Sequence, residues 1–243
     1  MEDIYKQLKA FLQWYSEVYE PDIHLNGQLV GNKEIQDDKR ETVRKPVQNG
    51  TQAKPDTENW TPALTEFYES IKDCQKCGLG ATRTNFVFGS GNANAKLMFI
   101  GEAPGRDEDL QGKPFVGKAG KLLDKMLKAI GRQRADVFIA NMLKCRPPQN
   151  RDPQTQELAE CEPYLLKQLD LIQPKLIVAL GRVAGQSLLK ESTSLSKMRG
   201  QIHTFRQIPL IVTYHPAALL RSPRYKQQAW QDWKTISSEL KRL

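Results

Sequence analysis

Four short apolar runs, at residues 96–100, 137–140, 176–180 and 210–213, set the narrowest limit on what this chain can fold into. Each is continuous rather than alternating, the pattern of a strand buried on both faces. Segments of helical spacing separate them. Residues 119–130 repeat Leu122, Leu123, Met126, Leu127 and Ile130. Residues 154–171 carry Leu158, Cys161, Leu165 and Leu169 on one side, with Asp152 placed to cap and Pro153 to begin the helix. A third helix is expected from Arg182, and residues 224–243 align Trp230, Trp233, Ile236 and Leu240. Strand alternating with helix predicts an α/β three-layer sandwich around a central four-stranded, mainly parallel sheet.

In open parallel sheets a ligand site forms just beyond the carboxyl ends of the strands. After the first run comes Gly101-Glu102-Ala103-Pro104-Gly105, after the second Asn141, after the third Gly181-Arg182, and after the fourth Tyr214-His215-Pro216. Glu102, Asn141 and His215 are therefore expected to share one crevice. A carboxylate, an amide and an imidazole together can read a polar ring and manage charge. His24 and His203 read as incidental, and the tryptophans of the last helix read as core.

Charge is distributed unevenly. Residues 1–60 carry 8 Lys+Arg against 11 Asp+Glu, net −3, and residues 61–243 carry 28 against 17, net +11. A body so basic attracts polyanions, nucleic acid foremost. No stretch approaches the roughly 18 uninterrupted apolar residues of a membrane span. The Met-Glu-Asp start lacks the basic and apolar regions of a secretory signal, so a cytoplasmic location is expected. Residues 1–19 show one apolar stripe, Ile4, Leu8, Phe11, Leu12, Tyr15 and Val18, and residues 20–58 lose periodicity and read as a flexible linker. The organisation is thus a helix at 1–19, a linker at 20–58 and a globular domain at 59–243. The N-terminal stripe either docks on the body or serves as a recognition helix for another protein.

The four cysteines are Cys74, Cys77, Cys145 and Cys161. The first two have the spacing of a metal clamp. Four thiolates suit zinc or an iron–sulfur cluster, and their spacing does not choose between the two. The plain alternative is two buried thiols and a chance pair.

Several motifs occur in one order: Gly101-Glu102-Ala103-Pro104-Gly105-Arg106-Asp107-Glu108-Asp109, Gly112-Lys113-Pro114-Phe115-Val116-Gly117, Asn141, Lys144-Cys145-Arg146-Pro147-Pro148, and His215-Pro216-Ala217-Ala218-Leu219-Leu220-Arg221. Together they resemble the family 4 (iron–sulfur) uracil-DNA glycosylases over about residues 61–243. The resemblance implies a four-iron four-sulfur (4Fe-4S) cluster on Cys74, Cys77, Cys145 and Cys161, and a monomeric enzyme acting on uracil-containing DNA. It implies a pocket of Gly101, Glu102, Ala103, Phe115, Asn141 and His215. There, His215 bonds a uracil carbonyl, Asn141 reads the imide edge, and Phe115 stacks on the ring. Glu102 or Glu108 orients the attacking water. Leu220 would fill the gap left by the flipped nucleotide, with Arg221 on a phosphate.

Related family 1 enzymes carry a water-activating aspartate where Ala103 stands, and family 4 enzymes usually have a small residue there. A relative that bonds covalently to DNA has a histidine-containing loop after the second strand. The segment Arg146-Pro147-Pro148-Gln149-Asn150-Arg151-Asp152 has no histidine, which favours an ordinary turnover enzyme. Two other functions fit parts of the sequence. Glu102, Asp107, Glu108 and Asp109 could serve a magnesium-dependent nuclease. The basic body could belong to a non-catalytic iron–sulfur DNA-binding module. The Asp107-Glu108-Asp109 run also reads simply as a solvated acidic turn.

Overall fold

The computed structural model describes residues 57–243. The expected helix at 1–19 and linker at 20–58, residues 57 and 58 apart, lie outside the described residues.

The four apolar runs all form strands: β2 (Leu97–Gly101), β3 (Phe138–Asn141), β4 (Leu176–Leu180) and β6 (Ile208–Thr213). They pair in parallel in the order β3-β2-β4-β6. Every residue of β2, β3 and β4 is buried, which explains why their sequences do not alternate. Two further strands extend the sheet to six. β1 (Ser90–Gly91) lies antiparallel to β3, and β5 (Ile202–Phe205) lies antiparallel to β6. The four-stranded expectation thus describes the parallel core. β5 (Ile-His-Thr-Phe) interrupts its apolar residues with polar ones and alternates between exposed and half-buried, as an edge strand does, so it carries no continuous apolar signal. His203, on β5, spends its ring on the Met198 carbonyl at 2.7 Å.

One face of the sheet packs on α1 (Pro62–Ile71) and α5 (Thr155–Ile172), with α6 (Arg182–Leu189) alongside. Met98, Ile100, Phe138, Ala140, Ile177 and Val212 meet Leu64, Tyr68, Leu165, Leu169 and Leu188 there. Ahead of β2 the chain also forms α2 (Leu79–Thr82), and between β2 and β3 it forms α3 (Arg106–Gln111) and α4 (Lys118–Ala129). After β4 and α6 come α7 (Leu195–Met198), α8 (Pro216–Arg221) and α9 (Lys226–Arg242). On the opposite face of the sheet, Trp233 of α9 stacks on Phe99 with ring centroids 5.5 Å apart and planes 17° apart. Trp233 is fully buried, so the tryptophans are core, as the sequence suggested. Trp233→Ala is expected to cost about 3–5 kcal/mol, the usual range for emptying a large aromatic site. A urea titration followed by circular dichroism measures it.

The start of α5 differs from the expected cap. Its N-cap is Gln154, and Glu157 Oε2 accepts the Gln154 N–H at 2.8 Å. Asp152 is engaged elsewhere, accepting from Arg182 at 2.9 Å. The side chain at the expected cap is therefore drawn to a long-range partner that sequence spacing does not reveal.

Candidate active site

The sheet register builds the site. Gly101 sits opposite Asn141 across β2 and β3, and Leu180 sits opposite Thr213 across β4 and β6. The next residues, Glu102, Gly181 and then Tyr214 and His215, leave the sheet at the same edge. Glu102, Ala103, Phe115, Asn141 and His215 line one pocket of about 530 Å³, within the normal range for a small-molecule site. The three side chains expected to converge do so, and Ala103 and Phe115 join them. Gly101, also expected in the pocket, does not line it; it packs behind the lining, against the Asn141 amide and the Phe115 ring.

His215 caps α8. Its Nδ1 accepts the Ala217 N–H at 3.1 Å, and Pro216 follows at the first helical position. An accepting Nδ1 leaves the proton on Nε2, so the ring can donate outward from that atom. Burial pushes the imidazole down to about 4, with the Arg221 guanidinium adding to the effect. The ring is therefore neutral at physiological pH. Lowering pH protonates it only near 4, well below the ordinary histidine range. Nitrogen NMR of the His215 ring is expected to show one protonated nitrogen, Nε2, at every pH from 8 down to 5. A midpoint near 6.5 would contradict the environment described. Gly181 lies beside it with φ of 97°, and a Cβ there would come within 3.1 Å of the His215 Cβ.

Asn141 is 2% exposed, and its Oδ1 has no hydrogen-bond partner among the described residues. An orphaned buried acceptor is costly and usually marks a group kept for something else. It leaves hydrogen-bonding capacity for a ligand. Phe115 sits in the left-handed region with φ of 53°, which costs of order 1–3 kcal/mol for such a residue. Arg134 helps hold it there, donating to the Pro114 carbonyl at 3.1 Å and to the Phe115 carbonyl. Gly120 leaves room for that carbonyl, since a Cβ would fall 1.7 Å from it. The Phe115 ring ends 5.3 Å from the His215 ring, with the planes 30° apart.

The acidic residues separate by role. The Glu102 carboxylate faces the pocket and makes no hydrogen bond among the described residues, while its backbone carbonyl accepts the Leu143 N–H at 3.0 Å. Burial lifts its carboxyl above the usual range, Asp152 adds to this and Arg182 opposes it. Glu108 also borders the pocket, but its Oε1 accepts the Val116 and Gly117 N–H groups at 2.9 and 3.0 Å. It thereby anchors the segment that carries Phe115. Asp109 is buried and accepts from Thr84 N, Thr84 Oγ1 and Asn85 N at 2.8, 2.9 and 3.3 Å. The run is therefore not a uniformly solvated turn. Leu220 is 45% exposed beside the fully buried Leu219, and Arg221 borders the pocket.

Other lining residues, Pro147, Asn150, Arg151, Asp152 and Arg182, had no site role expected from the sequence. Arg182 and Asp152 pair at 2.9 Å near the pocket. Arg182 follows the end of β4 by two residues and the others lie in the loop that leaves β3, which was the available signal.

All four cysteines border one small hollow, with Phe86 and Tyr164. None forms a disulfide. Donors point at the sulfurs: Tyr164 OH to Cys74 at 3.1 Å, Arg83 Nη1 to Cys145 at 3.2 Å, and Lys144 N to Cys161 at 3.3 Å. Among the described residues no three His, Cys, Asp or Glu side chains are close enough to hold a single metal ion. A four-iron cube is wider than one ion and takes its cysteines further apart. The all-sulfur donor set and the hydrogen bonds to sulfur suit such a group.

Comparison with known proteins agrees with this geometry. Residues 88–234 match the family model described as the uracil DNA glycosylase superfamily. The type-4 uracil-DNA glycosylase of Archaeoglobus fulgidus is 46% identical over 182 residues, covering 72% of this chain and 92% of that protein. The type-4 enzyme of Saccharolobus solfataricus is 44% identical over 181 residues, covering 71% and 84%. That of Thermotoga maritima is 44% identical over 156 residues, covering 63% and 81%. A parallel sheet whose strand ends gather these groups into one pocket, together with the family match, defines a member of the uracil DNA glycosylase superfamily. Within that superfamily, the chain belongs to the type-4 uracil-DNA glycosylases.

Proposed function

We propose that this chain hydrolyses the N-glycosidic bond of uracil in DNA, releasing the base and leaving an abasic site for base excision repair. One observation carries the reading: Glu102, Asn141, Phe115 and His215, brought from four separate segments of the chain, line a single pocket. Duplex stacking hides the glycosidic bond, so the nucleotide must swing out to be cut. The basic domain draws the backbone in, Arg221 engages a phosphate, and Leu220 enters the vacated stack. Phe115 then offers a face to the ring. Asn141 pairs with the imide edge, accepting from N3–H and donating to O4, a pattern cytosine does not match.

As the bond to the sugar breaks, negative charge collects on uracil. His215 Nε2–H donates to a uracil carbonyl and stabilises that charge. A preorganised donor in a dry site is commonly a large part of such rate enhancement. Glu102 is the carboxylate free to orient the attacking water, since an oxygen of Glu108 is already bound by two backbone N–H groups. Cys74, Cys77, Cys145 and Cys161 would hold a 4Fe-4S cluster. When bound, that cluster supplies a cross-link between the Cys74 segment and α5, and hydrolysis calls for no electron transfer.

The test is a uracil-containing oligonucleotide incubated with a chelator and then treated with alkali. Strand scission only after alkali is expected. Direct breaks that disappear with chelator would support a nuclease, and DNA retention without product would support a binding module. The structure gives the nuclease little to work with, because Asp109 and Glu108 are both committed to protein N–H or O–H donors. Purified protein is expected to contain close to four irons per chain and to absorb broadly in the visible. A colourless, iron-free and fully active preparation would remove the cluster from the account.

A further inference from the structure

Lys144 has no part in the chemistry above, yet it lies between the pocket and the cysteines. It is 0% exposed. Its Nζ donates to the Asn141 backbone carbonyl at 2.8 Å and to Gln168 Oε1 at 2.6 Å. Gln168, on α5 and also 0% exposed, passes the tie onward by donating Nε2 to the Phe88 carbonyl at 3.0 Å. The Lys144 backbone N–H reaches Cys161 Sγ at 3.3 Å, and its carbonyl accepts from Val87 N at 2.8 Å. Burying a lysine is expensive, and a methionine would fill similar space at less cost. The donors of Lys144 are what the site retains.

The acceptor at Asn141 is the carbonyl of the residue whose side chain faces the pocket. Fixing that carbonyl fixes the peptide plane on the Asn141 Cα and so limits where the amide can point. We propose that Lys144 is a positioning residue for uracil recognition, clamping the Asn141 peptide to the α5 helix that carries Cys161. The cysteine lobe thereby sets the aim of the base-reading amide and does more than close a distant loop. An amine and an ammonium can both make the two donations, so the clamp works in either protonation state. The inference rests on the reading of Asn141 as the base-reading residue.

The test uses the full-length, iron-loaded protein and free uracil as an inhibitor. Lys144→Met is expected to keep its iron content and visible spectrum while weakening inhibition by uracil about 10- to 100-fold, the scale of a displaced recognition group. In an Asn141→Ala background the same substitution is expected to change inhibition by less than about twofold, because the group it aims is gone. Wild-type inhibition in Lys144→Met, or losses that multiply fully in the double variant, would overturn the clamp. Wild-type inhibition and excision in Asn141→Ala alone would instead remove the functional reading beneath it. If Lys144→Met does not fold, Gln168→Leu decides by the same measurements, since it removes the second anchor of the lysine and spares its bond to Asn141.

Discussion

Replacing His215 with asparagine is expected to lower the rate of uracil release about 10²- to 10³-fold while leaving folding stability nearly unchanged. The two halves of this expectation come from the two nitrogens of one ring. Nδ1 caps α8 through the Ala217 N–H, a duty asparagine performs at least as well. Nε2 carries the outward donor, for which asparagine has no equivalent at that reach. His215→Ala should lose the same catalytic factor and, in addition, about 1 kcal/mol of stability through the missing cap. Single-turnover excision and a denaturant titration on both variants separate the effects. Near-normal excision by the asparagine variant would mean that His215 serves the helix alone. Because the ring is neutral down to about pH 4, the histidine contribution should not fade between pH 8 and 5. Any acid limb in that window belongs to another group. Glu102 is the first to suspect, because its carboxyl is raised by burial and by Asp152.

What could be read from the residues follows from how locally each feature is encoded. The central strands were legible because burial on both faces writes an unbroken apolar run. β1 and β5 were not, because two residues against β3 and a half-exposed edge leave no such trace. Glu102, Asn141 and His215 could be placed together because all three sit at or just beyond strand ends, and a parallel sheet delivers its strand ends to one edge. The division of labour within Asp107-Glu108-Asp109 was hidden. It depends on Thr84 and Asn85, some 25 positions away in sequence, and on backbone N–H groups at Val116 and Gly117. The cap of α5 was misplaced for a similar reason, since Arg182 takes Asp152 from across the fold. Lys144 stood within a motif, but its burial and that of Gln168 left no trace, because a lysine and a glutamine ordinarily face water and their burial is decided by tertiary contacts.

Gly101→Ala is expected to reduce kcat/KM for uracil excision about 100-fold, though it adds a single methyl group and removes no functional side chain. Gly101 ends β2 directly opposite Asn141. A Cβ there would lie 2.3 Å from Asn141 Oδ1 and 2.8 and 2.9 Å from two atoms of the Phe115 ring. Real carbon atoms do not approach that closely, so something must shift. The strand cannot yield readily, being paired on both sides with every residue buried. The Phe115 backbone has little freedom either, with Arg134 on its carbonyl and a Cα already in the left-handed region, so only its ring can give way. The Asn141 amide and the Phe115 ring must therefore both move, and they are the two surfaces assigned to read and stack the base. Displacements near 1 Å at such groups are enough for a loss of this size. Crowding a packed site should also cost about 1–3 kcal/mol of stability. A steady-state series on a single-stranded uracil substrate, run well below the unfolding temperature of the variant, isolates the catalytic effect from the folding cost. Wild-type kcat/KM in a folded Gly101→Ala protein would show that Asn141 and Phe115 have slack to accommodate the methyl. A pocket with that slack would not be a rigid template for uracil.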